Sequence, residues 1–239
     1  KPYLGFAVNG RYLRSRSYLL ATGYHSLPPT LKDIEKIGYL TLGDICQQKN
    51  LTSLPNNLVI YGNQSQILEV AQILAKLGKN ITLITDQKTL LPQEDIDITR
   101  IIQAQLEADN IKIIQNTSIL QAQFIEGKKW LQVGDNALET DEIIITTDYH
   151  PNIEGLNLEG VGVEWEETGI KVNQKLQTTN PKIYACGNVI GGYNLSHFAE
   201  YEAKIALKNS LFFPLFKINY QNLPSIVSTD PPIARVGLT

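Results

Sequence analysis

The pattern of apolar and polar positions is most regular between residues 57 and 114. Three compact apolar runs, each short enough for a buried strand, are separated by two stretches in which apolar residues recur at helical spacing. The runs are residues 57–61, 81–84 and 111–114, and the helical stretches are residues 67–77 and 95–108. Gly78 closes the first helix, and acidic residues open the second. The order strand, helix, strand, helix, strand predicts half of a doubly wound parallel sheet.

The flanking segments predict further elements. Residues 16–21 favour a strand that runs into a turn, and residues 39–48 favour a short helix capped by Thr41. From Ile119 to about residue 147, apolar positions alternate or cluster between glycine-containing turns, which predicts an antiparallel β-meander covering one face of the sheet. Residues 196–213 favour a helix with Ser196 as its cap. The predicted fold class is therefore α/β, with a parallel sheet and an antiparallel β-meander.

Composition limits the classes of function. The formal charge is −3, and lysine and arginine are spread along the chain, so we expect no nucleic-acid partner. No apolar run reaches the roughly 18 residues that a membrane helix requires, so we expect no membrane partner and a cytoplasmic location. Cys46 and Cys186 match neither a metal-ligand spacing nor a redox pair, and we interpret both as buried, inert thiols. Methionine is absent, and we expect the chain to be a piece of a longer protein.

The junction after the first strand has the spacing of a dinucleotide-binding fingerprint, G-x-G-x-x-G, which calls for a small residue at three positions. Here these positions hold Gly62, Gln64 and Ile67, so only the turn glycine is present. A helix amino terminus can still attract an anion through its backbone N–H groups and dipole, and we expect such groups at residues 65–67. Asp86, or Thr85 in its place, ends the second strand, where an acidic group would bind the ribose. By spacing alone, a Rossmann-like fold without a nucleotide is an equal alternative.

Five segments in the same order resemble the landmarks of the flavin-dependent pyridine nucleotide-disulfide oxidoreductases. Among them, the branch containing mercuric reductase is the most similar, and dihydrolipoamide dehydrogenase belongs to the neighbouring branch. The segments are LLATGYHSLP at 19–28, the unit at 58–98, IIITTDYHPN at 143–152, TTNPKIYACGNVIGG at 178–192 and VSTDPPIARVGLT at 227–239. The resemblance implies a Rossmann-like FAD/NAD(P)-binding fold with FAD and NAD(P)H as cofactors.

The resemblance also implies the residues that contact the cofactors. Gly62 and the helix start, with Glu69, Asp86 and Thr147, would contact the nicotinamide dinucleotide; the helix-start residues are Asn63, Gln64, Ser65 and Gln66. The flavin would be contacted by Thr22, Gly23, Gly187, Asn188 and Ala199. Asp148 and Asn188 depart from the family pattern, which has glycine and aspartate there. No catalytic residue and no metal ligand is implied within the chain, and His25, His150 and His197 are interpreted as turn or cap residues without an orienting carboxylate.

By resemblance, the chain divides into four segments: the tail of the first FAD-binding segment (1–55), the NAD(P)-binding domain (56–150), the second FAD-binding segment (151–219) and the start of a dimerisation domain (220–239). We therefore expect a fragment of an FAD-dependent NAD(P)H oxidoreductase that is a homodimer when full length. Hydride would pass from nicotinamide to flavin and then to a disulfide or metal-thiolate acceptor. The alternative is an eroded family member that acts as a non-catalytic scaffold, favoured by the departures at Ile67, Asp148 and Asn188.

Overall fold

The computed structural model describes residues 5–237. Its helices are α1 (Ile34–Ile37), α2 (Leu42–Gln47), α3 (Gln66–Lys76), α4 (Ile96–Ala108) and α5 (Ser196–Leu211). Its strands are β1 (Phe6–Val8), β2 (Arg11–Leu13), β3 (Tyr18–Leu20), β4 (Tyr24–Ser26), β5 (Leu40–Thr41), β6 (Asn57–Tyr61), β7 (Asn80–Ile84), β8 (Lys112–Ile114), β9 (Ile119–Ile125), β10 (Lys128–Val133), β11 (Asn136–Thr140), β12 (Glu142–Ile145), β13 (Tyr149–Pro151), β14 (Trp165–Glu166), β15 (Gly169–Ile170), β16 (Ile183–Ala185), β17 (Ser225–Val227) and β18 (Ile233–Arg235).

The described residues group into two compact units. We name the units by where most of their residues lie in the sequence. The outer unit comprises the described parts of Lys1–Leu27 and Tyr149–Leu223, and the central unit comprises those of Pro28–Asp148 and Pro224–Thr239. Residues 1–4 and 238–239, at the ends of the first and last predicted segments, lie outside the described residues. The four segments implied by resemblance divide the chain on other grounds and stay a prediction.

The central unit contains the predicted parallel sheet, in the order β5-β12-β6-β7-β8. Strands β6, β7 and β8 are parallel neighbours, and Asn57 pairs with Asn80. Helix α3 buries Ile67, Leu68 and Ala71, and α4 buries Ile102 and Leu106, in one apolar core with the sheet. The predicted order of strands and helices is therefore confirmed.

The meander covers the other face of this sheet. Strands β9, β10 and β11 are antiparallel neighbours, and Ala122 and Leu131 pack with Val59 and Ile143 in a second core. One part of the prediction is wrong, because β12 does not belong to the meander. It lies in the parallel sheet between β5 and β6. Three consecutive buried isoleucines suit a parallel strand that is covered on both faces.

The hairpin of β17 and β18 packs in the central unit. Val227 is buried in the core that contains α3, and the buried Gln72 side chain binds both backbone groups of Asp230. The Gln72 amide nitrogen donates to the Asp230 carbonyl at 2.8 Å, and its oxygen accepts the Asp230 N–H at 2.7 Å. Residues 224–237 are therefore attached to α3 by packing and by paired hydrogen bonds.

In the outer unit, β3 and β16 pair in parallel, and β4 pairs with β13 in antiparallel orientation. Helix α5 packs Ile205 and Ala206 against Tyr184 and Leu176. The prediction that Ser196 caps this helix is wrong, since Leu195 occupies the cap position and no side chain makes a capping bond. Among the described residues, no helix is long and apolar enough to cross a membrane, and no cluster of three or more potential metal ligands occurs.

Candidate functional site

The turn after β6 is built around Gly62. Its φ of +153° is rarely adopted by other residues, and a Cβ added there would lie 1.6 Å from the Thr146 hydroxyl oxygen. The Gly62 N–H donates to the Ile84 carbonyl at 3.1 Å, which joins the carboxyl ends of β6 and β7. Because Thr146 follows β12, three adjacent parallel strands end around this glycine, at the sheet edge where ligands of doubly wound folds bind.

Helix α3 begins at this edge without a side-chain cap. Its cap residue, Ser65, has helical backbone angles and makes no capping bond, whereas Asp95 caps α4 through its side chain. Anions stabilise such an end through the helix dipole and the backbone N–H groups. The expectation of a free N–H at residue 67 is wrong, because the Ile67 N–H donates to the Gln64 carbonyl at 3.1 Å.

Two hydroxyl groups after β12 are buried without a hydrogen-bond partner among the described residues, those of Thr146 and Thr147. Thr147 is 9% exposed. A buried hydroxyl without a partner is costly, so such a group often marks a place where a ligand or water binds. The Gln64 amide nitrogen donates to the Thr147 carbonyl at 2.9 Å and so connects the α3 turn to the end of β12.

The end of β7 distinguishes the two candidates for the ribose contact. The Thr85 side chain is buried, and its hydroxyl donates to the Asn63 amide oxygen at 2.7 Å and accepts the Gln87 N–H at 3.2 Å. Asp86 is exposed at the same edge. The geometry therefore favours Asp86 for a ligand contact, and the assignment stays a prediction.

Two α3 residues have structural partners. The Glu69 carboxylate accepts the Ser228 N–H at 2.7 Å, a contact to the hairpin segment. Ile67, at the third fingerprint position, is 2% exposed and belongs to the core. A branched residue here is thus accommodated in the packing between helix and sheet. The proposed role of Glu69 beside the nicotinamide stays a prediction.

The residues expected to contact the flavin come together in the outer unit. Thr22 and Gly23 follow β3, Gly187 and Asn188 follow β16, and these strands are parallel neighbours. A Cβ added to Gly187 would lie 3.5 Å from the Ala199 Cβ, so the loop approaches α5 closely. Thr22 and Asn188 are hydrogen-bonded within the unit: the Thr22 hydroxyl donates to the Asn152 carbonyl and the Asn188 amide to Asn194.

Sequence reasoning missed Glu202, which supports this loop. Glu202 is 3% exposed, and its carboxylate accepts the Gly187 N–H at 2.6 Å and the Tyr220 hydroxyl at 2.8 Å. Burial raises the pKa of Glu202 above its ordinary value, against the two hydrogen bonds that lower it. The available signal was its spacing, since Glu202 lies one helical turn after Ala199.

The interpretation of Cys186 as a buried, inert thiol is confirmed, whereas those of Cys46 and His150 need correction. Cys186 is buried, and burial together with the Glu202 charge raises the pKa of its thiol to about 11, which makes it unreactive. Cys46 is exposed on α2, so its assignment as buried is wrong. His150 has a carboxylate partner that the sequence did not predict, Glu154, at 3.0 Å.

Comparison with known proteins gives consistent matches. Residues 6–203 match the family described as pyridine nucleotide-disulphide oxidoreductase. The chain is 31% identical over 238 residues to a mercuric reductase of Staphylococcus aureus, with 97% of the chain and 43% of that protein covered. It is 34% identical over 192 residues to a dihydrolipoyl dehydrogenase of Bacillus subtilis, with 80% of the chain and 42% of that protein covered. The chain therefore spans less than half the length of these relatives.

A solved structure is also similar. The Cu(II) complex of the HOCl-induced flavoprotein disulfide reductase RclA from Escherichia coli matches with a TM-score of 0.86 and 25% identity. The match covers 95% of the chain and 53% of that protein. The Rossmann-like fold expected from the sequence is thereby confirmed.

Proposed function

Because the chain belongs to the pyridine nucleotide-disulphide oxidoreductase family, we propose that it is the cofactor-binding part of an FAD-dependent NAD(P)H oxidoreductase. The two cofactors supply the hydride chemistry when bound. The terminal acceptor would be a disulfide or a metal thiolate, as in the mercuric reductase and dihydrolipoamide dehydrogenase branches. The full-length protein would be a homodimer. The chain contains only Cys46 and Cys186, whose spacing is not that of a redox pair, so we expect no disulfide turnover from this chain by itself.

The observation that carries the proposal is the sheet edge around Gly62. An uncapped helix, a turn that only glycine fits and the partnerless hydroxyl of Thr147 meet there. These residues fit a pyrophosphate, which needs close backbone approach and hydrogen-bond donors. The α3 amino terminus would hold the phosphates, and the Thr147 hydroxyl would donate to one of their oxygens.

Specificity for NADH is favoured by charge. Asp86 is exposed at the end of β7, where a carboxylate accepts hydrogen bonds from both ribose hydroxyls and repels a 2′-phosphate. Lys88 is the nearby cation in the sequence. We therefore expect NADH to bind more tightly than NADPH, and Asp86→Asn to reduce that preference.

On the flavin side, in the outer unit, Glu202 would support the binding loop and Asn188 would contact the ribityl chain. Glu202 accepts the Gly187 N–H and so fixes the loop that would face the ribityl chain. Asn188 occupies the position where the family has aspartate; its amide oxygen can accept a bond from a ribityl hydroxyl without a negative charge. We expect that weakened contact to lower FAD affinity relative to an Asn188→Asp variant.

Calorimetric titration of NADH into the chain tests the proposal. We expect weak binding, near the millimolar range, which Thr147→Val weakens further because it removes the hydroxyl with little change in shape. Thr52→Val is the matched control. Thr52 lies in the 3₁₀ helix Leu51–Ser53, outside the proposed site, and its hydroxyl donates to the Asn50 side-chain oxygen. Equal binding to wild type and Thr147→Val would remove Thr147 from the site, and no binding to any variant would contradict the proposed function.

The non-catalytic scaffold remains the second candidate. It is favoured by the Gln64–Thr147 hydrogen bond, which connects the two sides of the proposed phosphate site. A scaffold would show no nucleotide binding even when Gln64 is replaced by alanine, which removes this hydrogen bond. Titration of the Gln64→Ala variant therefore discriminates the two functions.

A further inference from the structure

The end of α5 and the loop after it expose large apolar side chains in the outer unit. Leu211, Phe212, Phe213 and Leu215 are 64%, 75%, 78% and 75% exposed. Leu207 and Phe216, at 50% and 48%, extend the same segment. We call residues 207–217 the Phe212 surface. Such a concentration of exposed apolar side chains marks an interaction surface in soluble proteins.

The loop that carries these side chains is fixed by buried hydrogen bonds. Asn209 is 1% exposed, and its amide oxygen accepts the Phe216 N–H at 3.0 Å. Its amide nitrogen donates to the carbonyls of Phe216 at 2.8 Å and Lys175 at 2.9 Å. The Ser17 hydroxyl donates to the Ser210 carbonyl at 2.8 Å. The backbone is therefore anchored, and the apolar side chains are displayed on it.

The charged residues within the Phe212 surface are both lysines, Lys208 and Lys217. Residues 203–223 contain three lysines and no acidic residue, although the whole chain has a formal charge of −3. The Lys208 ammonium lies 5.1 Å from the centre of the Phe216 ring, and Lys204 pairs with Glu200 on the preceding turn. The partner of such a surface must combine negative charge with an apolar interior.

We propose that the Phe212 surface adsorbs to anionic lipid bilayers. Phenylalanine and leucine side chains would enter the boundary between headgroups and acyl chains, while Lys208 and Lys217 would contact anionic headgroups. Adsorption needs no spanning helix, so the expectation of no membrane partner, which rested on the lack of a spanning run, does not bear on it. A second copy of the chain fits less well, because two such surfaces would bring like charges together.

Vesicle co-sedimentation of the whole chain tests the proposal. We expect binding to phosphatidylcholine vesicles that contain phosphatidylglycerol, with weaker binding to phosphatidylcholine alone and in high salt. Phe212→Ser with Phe213→Ser should lower partitioning at least tenfold. Lys208→Gln and Lys217→Gln should each lower it about fivefold on anionic vesicles only.

The matched control replaces two exposed apolar residues elsewhere. Leu120 and Phe124 on β9 are 59% and 60% exposed in the central unit, and Leu120→Ser with Phe124→Ser should leave partitioning unchanged. Absence of binding to anionic vesicles, or an equal loss in the control, would overturn the proposal. Sedimentation velocity without lipid gives the remaining outcome: dimers abolished by the Phe212 and Phe213 changes would identify a second copy as the partner instead.

Discussion

Gln64 gives the most direct test of how the substituted fingerprint affects binding. Its amide donates to the Thr147 carbonyl across the proposed phosphate site. A net hydrogen bond of about 0.5–1.5 kcal/mol must be broken if the dinucleotide displaces this side chain. We therefore expect Gln64→Gly to tighten NADH binding roughly two- to tenfold, as measured by calorimetry.

The control for Gln64 is Gln132→Ala. Gln132 donates to the Gly134 carbonyl at 2.7 Å in the meander, so its loss removes a similar bond elsewhere. Unchanged NADH affinity in Gln64→Gly would show that the dinucleotide does not compete with the amide.

Ile67 has a different role from the one suggested by its fingerprint position. It is 2% exposed in the core, so Ile67→Ala should lower the free energy of unfolding by about 2–4 kcal/mol through lost burial and a cavity. Urea unfolding measures this loss. Ile73→Ala, on the same helix but 49% exposed, should cost much less. Similar losses in the two variants would show that the Ile67 site collapses around the smaller side chain.

At the scale of elements, local chemistry predicts most of the central unit. The capping box of Thr41 and Asp44 starts α2 as expected, and the apolar periods locate α3, α4, β6 and β7. The sequence could not separate β12 from the meander, because three consecutive isoleucines have no alternation and only the neighbouring strands decide their place.

The site is predictable where backbone geometry dominates and unpredictable where distant residues meet. Gly62 is predictable from its place in the turn after β6, where its positive φ favours glycine. The Gln64–Thr147 bond joins residues 83 positions apart, and the partnerless Thr147 hydroxyl depends on its tertiary surroundings. The role of Glu202 also depends on tertiary contacts. The sequence alone suggests a solvent-exposed position for it, because charged residues on helices are normally exposed.

The attachment of the C-terminal hairpin to α3 can be tested through Gln72. Gln72→Ala leaves the Asp230 N–H and carbonyl without their side-chain partner, and we expect a loss of about 1–3 kcal/mol in stability. Limited proteolysis should cut near residues 228–231 faster than in wild type. Gln103→Ala removes a surface bond on α4 and serves as the control. Unchanged cleavage would show that the other contacts, namely core packing, the Glu69–Ser228 hydrogen bond and the Lys76–Asp230 ion pair, hold the hairpin without Gln72.

At the scale of the whole molecule, Glu202 makes stability depend on pH. Its folded-state pKa is raised by burial, so as pH rises above about 4.5 the unfolded chain releases this proton first and the folded state loses stability. The contribution is complete below the unfolded pKa and is lost as pH passes through the folded pKa. The Glu202→Gln variant has no titratable group at this position, so it lacks this pH-dependent contribution to stability.

The expected result is a difference in unfolding free energy between Glu202→Gln and wild type that moves in favour of the variant from about pH 4.5 upward and then levels off. Urea unfolding followed by Trp165 fluorescence in a Trp130→Phe background reports on the outer unit. Glu200→Gln is the control with the opposite sign, because hydrogen bonding to Lys204 lowers the pKa of Glu200 and its contribution is lost as pH falls. Glu200 and Lys204 are both well exposed, so the change in stability of the Glu200→Gln variant with pH should be small. Parallel pH profiles for wild type and Glu202→Gln would show that Glu202 is not held with a raised pKa in the folded protein.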